Sequence, residues 1–303
     1  MDYRFLSSEQ IDRNRWDTIL ESEPLAPIYS YSWYLDTIAE NWGAIISGDY
    51  RSILPLAFRR KFGIRYLYQP FFSRNFGVYG LKNNEIGAVK YLIELSGKFR
   101  YWDFCIEISN TISIADLRIN NRIYQLLDLN KPYEELCKAY TGNLKRSIRD
   151  ANAENLRIVE ANDLHHFTLQ FKKFTAARIK EFNTKDYDKL EILLGKCNQF
   201  AKTWHYSVMK NGIELSSAFF VRKGHRITYI EGYNSPEGRK LQSMHLLFDH
   251  FVREHAGQNL LVDFGGSNVP SIAHFFHCYG ATDHNYYNIR LNKLPLLLKT
   301  FKK

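Results

Sequence analysis

The sequence predicts a mixed α/β (α+β) fold made of two similar domains in tandem, each with a mostly antiparallel mixed sheet flanked by helices. Three observations carry this prediction. At 303 residues the chain is too long for one small core and is typical of two domains of ordinary size. Helix-spaced and strand-like apolar patterns follow one another along its whole length. A group of three strand-like runs also occurs twice.

The two copies of this group begin at Gly48 and Gly212. Each copy contains a strand, a turn, a second strand, a basic turn with glycine and a third strand. Duplication of a three-stranded meander explains this shared order most simply, and chance similarity is the alternative because few residues are identical. The prediction is a first domain over residues 1–130 and a second over 131–303, with about the last 15 residues free to pack back on the first domain.

In the first half, helix-spaced apolar residues predict three helices, and β-branched or aromatic runs between turn residues predict five strands. Asp49 with Tyr50, and Phe62 with Gly63, supply the turns between the first three strands. Pro55 lies inside the second strand and indicates an edge strand or a bulge, because proline cannot donate to a ladder. The predicted helices cover 8–20, 31–41 and 85–99, and the predicted strands cover 42–48, 51–60, 64–69, 101–108 and 122–129.

In the second half, Pro132 fits the first turn of a helix and Asp163 fits the N-cap of a later one. Strand-like runs and helix-spaced apolar residues alternate from there to residue 292. The predicted helices cover 132–155, 163–182, 186–202, 238–255 and 270–279, and the predicted strands cover 156–160, 204–210, 213–222, 225–233, 260–264 and 285–292.

The formal charge of +9 and the isoelectric point near 9.2 predict attraction to a polyanion, which is RNA, a nucleotide-linked substrate or a membrane surface. Charge that only serves solubility is the alternative. Lys145, Arg146 and Arg149 are spaced to share one helix surface. Together with Arg178 and Lys180 of a later helix, they would grip tRNA or a nucleotide-sugar diphosphate. A solvated helix face is the other interpretation.

The four cysteines are far apart and form no C-x-x-C pair, which favours a reducing compartment over a disulfide framework. The first residues lack the apolar run of a signal peptide. No stretch approaches the roughly 18 apolar residues that span a bilayer. We therefore expect a cytoplasmic protein without a transmembrane segment, for which a peripheral membrane contact stays open.

A loop that leads from a strand into a helix is the first candidate site. Backbone N–H groups at such a helix start are unpaired and stabilise a phosphate or a carbonyl oxyanion. Arg239 and Lys240 add positive charge, and Ser235 and Gly238 belong to the same loop. The alternative is a plain capped turn with Ser235 as N-cap and Pro236 at the first helical position.

The turn after the strand 260–264 is the second candidate site. Asp263 is placed to accept a proton from an attacking amine, and Gly265 and Gly266 permit close substrate approach next to Ser267. An Asx-type turn that joins strand to helix is the alternative. Two further side chains, Glu231 and Tyr233, are two positions apart on the preceding strand, so they share one face and flank the same cleft.

The sequence favours neither a metal centre nor a serine or cysteine nucleophile. His274, His277 and Cys278 share a helix face, but a zinc site would need a further ligand such as His284. No G-x-S-x-G turn is present and no cysteine has an evident partner base. We expect no metal.

Short motifs resemble a known superfamily. They are S-P-E-G-R at 235–239, V-D-F-G-G-S at 262–267, I-A-H-F at 272–275, Y-G-A at 279–281, I-L-P-L at 53–56, Y-Q-P at 68–70 and N-L-K-R-S-I at 143–148. These segments resemble the GNAT acyltransferases, specifically the FemX/FemAB-like branch. This resemblance implies two tandem GNAT-like domains. It also implies transfer of an acyl or aminoacyl group, from aminoacyl-tRNA, to an amine of a cell-envelope precursor of peptidoglycan or a small molecule.

Two departures from the superfamily pattern qualify these expectations. A GNAT coenzyme A loop has small residues where this chain has Gln242 and Met244, so coenzyme A is disfavoured. The branch often carries a lysine where this chain has Phe276, and His277 is the nearest replacement. Together with Asp263 and Tyr233 of the second candidate site, His277 completes the set of predicted catalytic residues. The alternative function is an inactive GNAT-fold protein that binds RNA or an anionic glycan or nucleotide-linked ligand.

Overall fold

In a computed structural model, the residues that can be described are 2–80, 85–108, 117–175, 184–265, 269–295 and 299. The chain packs into two compact units, Met1–Ile123 with Asn285–Lys303, and Tyr124–His284. The sequence placed a single boundary after residue 130. The unit limits instead fall inside two long strands, which a pattern of turn residues does not reveal.

Both units contain β-strands, and most neighbouring strands pair antiparallel. The strands are β1 (Tyr3–Ser7), β2 (Asn41–Ser47), β3 (Ser52–Lys61), β4 (Ile64–Tyr68), β5 (Phe76–Gly77), β6 (Tyr79–Gly80), β7 (Tyr101–Glu107), β8 (Arg118–Asp128), β9 (Arg157–Glu160), β10 (Lys202–Lys210), β11 (Ile213–Lys223), β12 (Arg226–Asn234), β13 (Leu261–Asp263) and β14 (Thr282–Asn292). The first unit has the strand order β1-β2-β3-β4-β7-β14, and the second has β8-β13-β12-β11-β10-β9. The predicted mixed α/β class is thereby confirmed.

The helices cover the faces of these strands and begin where capping chemistry predicts. Asp163 and Ser235 accept hydrogen bonds from backbone N–H groups three residues later, as N-caps do. The helices are α1 (Arg13–Glu21), α2 (Ser32–Ile38), α3 (Glu85–Glu94), α4 (Tyr133–Leu136), α5 (Gly142–Asn152), α6 (Leu164–Phe174), α7 (Thr184–Phe200), α8 (Pro236–Lys240), α9 (Ser243–His255) and α10 (Pro270–His277).

Several predicted elements differ from the structure. The predicted helix 132–155 is divided because Tyr140 is extended and Thr141 caps a new helix. The predicted helix 238–255 is divided at Gln242, whose φ of 59° is left-handed. Strand β1 was missed, since its burial does not alternate. The predicted part of helix 163–182 beyond Thr175 lies outside the described residues.

Pro55 does not lie on an edge strand. Its strand, β3, pairs with β2 along Ser52–Phe58 and, on its other side, with β6 at Ser52 and Ile53 and with β4 from Phe58 onward. Among the described strands none pairs with residues 54–57 on that second side. The proline therefore lies in a local gap, where its missing N–H costs no ladder bond.

The core of the second unit is rich in aromatic side chains. Phe220 of β11 stacks on Phe251 of α9 with ring centres 3.8 Å apart, and Phe248 contacts both Phe220 and Tyr229. This core fixes α9 against β10 and β11. No helix in the described part of the chain is both long and apolar enough to cross a bilayer.

Candidate active site

The pairing between strands β12 and β13 ends in the middle of the second unit. They pair in parallel only along Arg226–Thr228, and β13 ends at Asp263 opposite Thr228. On its other side, β12 remains paired with β11 but contains a bulge, because Phe220 lies opposite Tyr229 and Phe219 lies opposite Glu231. Bulges of this kind redirect side chains and are common next to active sites. The segment that follows Thr228 therefore forms one wall of a candidate site.

Glu231 occupies this wall directly after the bulge. Its cross-strand partner is Phe219, so its side chain shares the sheet face of Phe219, which contacts Phe167 of α6. Glu231 is half-buried and makes no hydrogen bond or ion pair with a described residue. Burial raises the pKa of its carboxyl from about 4.5 to about 8. A carboxyl group of this pKa exchanges a proton readily near neutral pH.

Tyr233 lies on the same sheet face, two residues further along. Its side chain is 2% exposed and packs against Phe167 and Phe174 with ring centres 5.5 and 6.1 Å apart. Its hydroxyl is buried and has no hydrogen-bond partner among the described residues. A buried hydroxyl without a partner costs about 1–3 kcal/mol. The predicted proximity of Glu231 and Tyr233 follows from their alternation on β12.

Gly232, between these two residues, was missed by sequence reasoning. A Cβ atom there would lie 2.7 Å from the carbonyl oxygen of Ser217, and the Gly232 carbonyl accepts a hydrogen bond from the Thr175 hydroxyl at 3.1 Å. A larger residue would clash with Tyr229 and with the Ser217 backbone of the neighbouring strand. Glycine inside a strand pattern was the available signal.

Asp263 is held by a partner that the sequence did not suggest. Arg226 Nη2 lies 2.6 Å and Arg226 Nε 3.0 Å from Asp263 Oδ2, and the Gly265 N–H donates to Asp263 Oδ1 at 2.9 Å. The two side chains are 6% and 0% exposed. A fully buried carboxylate with both oxygens bonded is poorly placed to meet an amine. The geometry therefore argues against Asp263 as proton acceptor and favours a positioning role.

The turn after Asp263 has the form given above as the alternative. Gly265 has a φ of 80°, which is left-handed, and its N–H bonds the Asp263 side chain two residues earlier, as in an Asx turn. The predicted contacts of Gly266 and Ser267 lie outside the described residues.

The loop at 235–240 is a short helix, α8. The Gly238 N–H donates to Ser235 Oγ at 3.0 Å and the Arg239 N–H donates to the Ser235 carbonyl at 2.9 Å. Arg239 also donates from Nη1 to the Asn234 carbonyl at 2.6 Å. These N–H groups are thus used within the turn, which is the capped-turn alternative. Lys240 is exposed beside it.

Gln242 and Met244 affect the start of α9 differently. Gln242 is the left-handed N-cap residue, and its Nε2 donates to the Arg239 carbonyl at 3.2 Å. Met244 is 9% exposed and belongs to the hydrophobic core of the unit. Of the two side chains expected to obstruct a coenzyme A pyrophosphate, only Gln242 is therefore near the surface.

The predicted basic cluster is solvent-exposed on α5. Lys145, Arg146 and Arg149 all lie at the surface, and Arg149 forms a 3.3 Å ion pair with Asp150. The two predicted members from the later helix, Arg178 and Lys180, lie outside the described residues. The exposed face is available to a polyanion and equally fits a solvated helix.

His277 points away from the position of the branch's lysine. Its Nε2 lies 2.7 Å from Asp283 Oδ1, and Gln125 Nε2 donates to the same oxygen at 2.9 Å. Phe276, at the lysine's position, is 5% exposed and stacks on Phe264 with ring centres 4.7 Å apart. A histidine one residue further along a helix faces about 100° away. The structure gives no support to His277 as a substitute for that lysine.

The described metal-ligating side chains, the Cys105 thiol and the cavity beside Glu160 offer no second catalytic site. Among the described residues, no three His, Cys, Asp or Glu side chains converge on a metal position. Burial raises the pKa of the Cys105 thiol to about 11, which disfavours a thiolate. A cavity of about 260 Å³ lies beside Glu160 and Trp204, and no predicted site residue lines it.

No protein-family model matches the chain, and no curated protein matches its sequence. Solved structures are similar to it. FemX is 14% identical over all of both chains with a TM-score of 0.68. The C-terminal domain of a putative lysylphosphatidylglycerol synthetase from Agrobacterium fabrum is 13% identical, with 92% of this chain and 91% of that chain covered and a TM-score of 0.55. A tandem GNAT protein from the clavulanic acid biosynthesis pathway is 12% identical, with 97% and 99% covered and a TM-score of 0.52.

At these identities the likeness shows the fold alone. The chain has the fold of FemX and of the tandem GNAT protein, so the fold that the short motifs implied is confirmed.

Proposed function

We propose that this protein is an acyl- or aminoacyltransferase of the FemX/FemAB-like type, with Glu231 as its general base. The observation that carries the proposal is the Glu231 carboxyl, directly after the bulge of β12. It has no partner in the part of the chain that the structure describes, and burial raises its pKa to about 8. The fold it shares with FemX supports transfer over other reaction classes.

The proposed step forms one bond and breaks one. The amine nitrogen of the acceptor attacks the acyl carbonyl carbon, a C–N bond forms, and the C–O bond of the ester breaks. Ionised Glu231 takes the proton that the amine loses and returns it to the leaving oxygen. The buried hydroxyl of Tyr233, which has no partner among the described residues, is on the same face and donates to the oxygen that gains charge.

In this proposal the donor is aminoacyl-tRNA and the acceptor is a cell-envelope precursor, such as one of peptidoglycan, or a small-molecule amine. The exposed Lys145, Arg146 and Arg149 of α5 supply charge for a polyanionic donor. Gln242, at the start of α9, disfavours coenzyme A. Aminoacyl-tRNA is found in the cytoplasm, so we place the reaction there.

The experiment is a transfer assay with radiolabelled aminoacyl-tRNA, and separately acyl-CoA, as donor and with UDP-linked peptidoglycan precursors as acceptor. Glu231→Gln is expected to lower the rate by about 10²–10⁴-fold, the usual contribution of a general base. Glu135→Gln removes an exposed carboxylate of the same unit and serves as the matched control. Absence of transfer from every donor, or an unchanged rate in Glu231→Gln, would overturn the proposal.

The second candidate function is a binding protein for RNA or an anionic ligand without chemistry. Phe276, stacked in the core at the position of the branch's lysine, favours it. Strong, salt-dependent RNA binding without transfer would establish this alternative.

A further inference from the structure

The hairpin between β3 and β4 ends in an apolar tip. Phe62 and Gly63 form its turn with φ angles of 50° and 76°. The Phe62 side chain is 81% exposed, more than any other large apolar side chain among the described residues. Singly exposed apolar side chains are common on protein surfaces, so this tip indicates a docking site only in combination with the charges around it.

Basic side chains surround this tip. Arg60 lies directly opposite Arg65 across the hairpin, and both are exposed, as is Lys61. Like charges directly opposite in a sheet destabilise it. An anionic partner would relieve that repulsion.

Two further basic residues extend the basic surface from a neighbouring segment. The Arg100 N–H donates to the Arg65 carbonyl at 3.2 Å, and burial together with the charge of Arg65 lowers the pKa of Lys98. No described residue forms an ion pair with the five basic side chains of this surface, which are Arg60, Lys61, Arg65, Lys98 and Arg100.

The neighbouring Arg59, in the same strand, has both a carboxylate and an aromatic partner. Its Nε lies 3.2 Å from Glu40 Oε2, and its guanidinium lies 4.1 Å from the centre of the Tyr68 ring. Lys98 Nζ likewise lies 4.0 Å from the centre of the Phe5 ring, but no carboxylate of the described segments pairs with it or with the basic residues of the hairpin tip. The charge at the tip is therefore available to a partner outside the chain.

The arrangement fits an anionic bilayer better than RNA. Aromatic residues that stack on bases present an open ring face in a groove or on a sheet. Here Phe62 is in the turn at the end of a hairpin, and Lys61 Nζ lies 5.5 Å from the centre of its ring. A protruding apolar residue with basic residues behind it matches the depth profile of a membrane, in which the ring enters the interface and the cations meet headgroup phosphates.

We propose that the tip of this hairpin, residues 60–65 with Lys98 and Arg100, docks the protein on an anionic lipid bilayer. The inference rests on the first unit alone and is independent of the proposed transferase activity.

The test is co-sedimentation of the full chain with vesicles of phosphatidylglycerol mixed into phosphatidylcholine, and with vesicles of phosphatidylcholine alone. Binding is expected only with phosphatidylglycerol and is expected to weaken between about 0.1 and 0.5 M salt. Phe62→Ala should weaken it about tenfold, and Arg60→Ala and Arg65→Ala about fivefold each. Phe62→Trp should retain binding, because tryptophan suits the interface.

Two matched controls separate this surface from general effects. Ile213→Ala removes a side chain that is 66% exposed next to another hairpin turn, and Lys138→Ala removes an exposed charge; both are expected to bind like the parent protein. Equal binding to both vesicle types, no binding, or parent-like binding of Phe62→Ala would overturn the proposal. Labelled tRNA whose affinity falls in Phe62→Ala, while vesicle binding stays unchanged, would assign the tip to RNA instead.

Discussion

Arg226 and Asp263 form a buried ion pair across the parallel strands β12 and β13, with Nη2 2.6 Å from Oδ2. The pair runs diagonally from Arg226, the first paired residue of β12, to Asp263, the last residue of β13, and Asp263 also accepts a hydrogen bond from the Gly265 N–H in the following turn. Glu231 lies further along β12, where the strand pairs with β11.

Asp263→Asn is expected to destabilise the protein by about 3–5 kcal/mol, because it removes the carboxylate charge that lies 2.6 Å from the buried Arg226 guanidinium. Urea unfolding measures the change. Asp150→Asn, which breaks the exposed pair with Arg149, should change stability by about 0.5 kcal/mol or less. Equal effects of the two substitutions would contradict the structural role of the buried pair.

If Asp263→Asn does not fold, the double variant Arg226→Met/Asp263→Leu tests the same point. Replacing both charges removes the uncompensated one, so this variant is expected to be more stable than either single variant.

The activity should follow the ionisation of Glu231. The carboxylate form is the base, so kcat/KM is expected to rise with pH and to level off above about 8. A pH–rate profile of the parent protein measures this. If kcat/KM instead stays constant from about pH 6 to about pH 9, the interval around this pKa, Glu231 does not act in the chemical step.

Glu231→Gln should stabilise the protein although it slows transfer. The folded state holds the proton more tightly than the unfolded state, whose pKa is about 4.5, so the parent loses stability as pH rises from 4.5 to about 8. The variant does not lose this stability. The difference in Tm between variant and parent should therefore grow between pH 4.5 and about 8, by about 2–4 °C for each kcal/mol of stability that the parent loses. Melting curves at several pH values check the trend, and a constant difference would contradict it.

Gly238→Ala is expected to be destabilising by about 1–3 kcal/mol through overpacking. A Cβ atom there would lie 2.6 Å from the Leu215 carbonyl oxygen and 2.7 Å from Ser243 Oγ, and would also clash with Asn234 Oδ1. Gly195→Ala, in the middle of α7, meets no atom within 4 Å and should stabilise by about 0.5–1 kcal/mol. Comparing the Tm values of the two variants distinguishes the effect of packing from that of helix propensity.

The exposed cluster on α5 is expected to act in donor binding. Replacing Lys145, Arg146 and Arg149 together by alanine should raise KM for aminoacyl-tRNA, reduce the salt dependence of binding and leave Tm nearly unchanged. A triple variant with parent-like KM would assign these residues to a solvated face.

Local chemistry in the sequence determined most elements of this protein. Hydrophobic periodicity located the strands of the meander, and the N-caps at Asp163 and Ser235 follow from side-chain oxygens that bond N–H groups three residues away. The alternation of β12 likewise placed Glu231 and Tyr233 on one face. These features depend on neighbours within a few positions, which a sequence displays directly.

Only the tertiary structure distinguishes the environments of the two carboxyls, Asp263 and Glu231. The sequence favoured Asp263 because a glycine turn follows it, but Arg226, from another strand, pairs with that carboxylate. Glu231 gains its raised pKa from burial by groups that are distant in the sequence. A pKa is set by solvent exclusion and by charges in space, and neither is encoded in residue spacing.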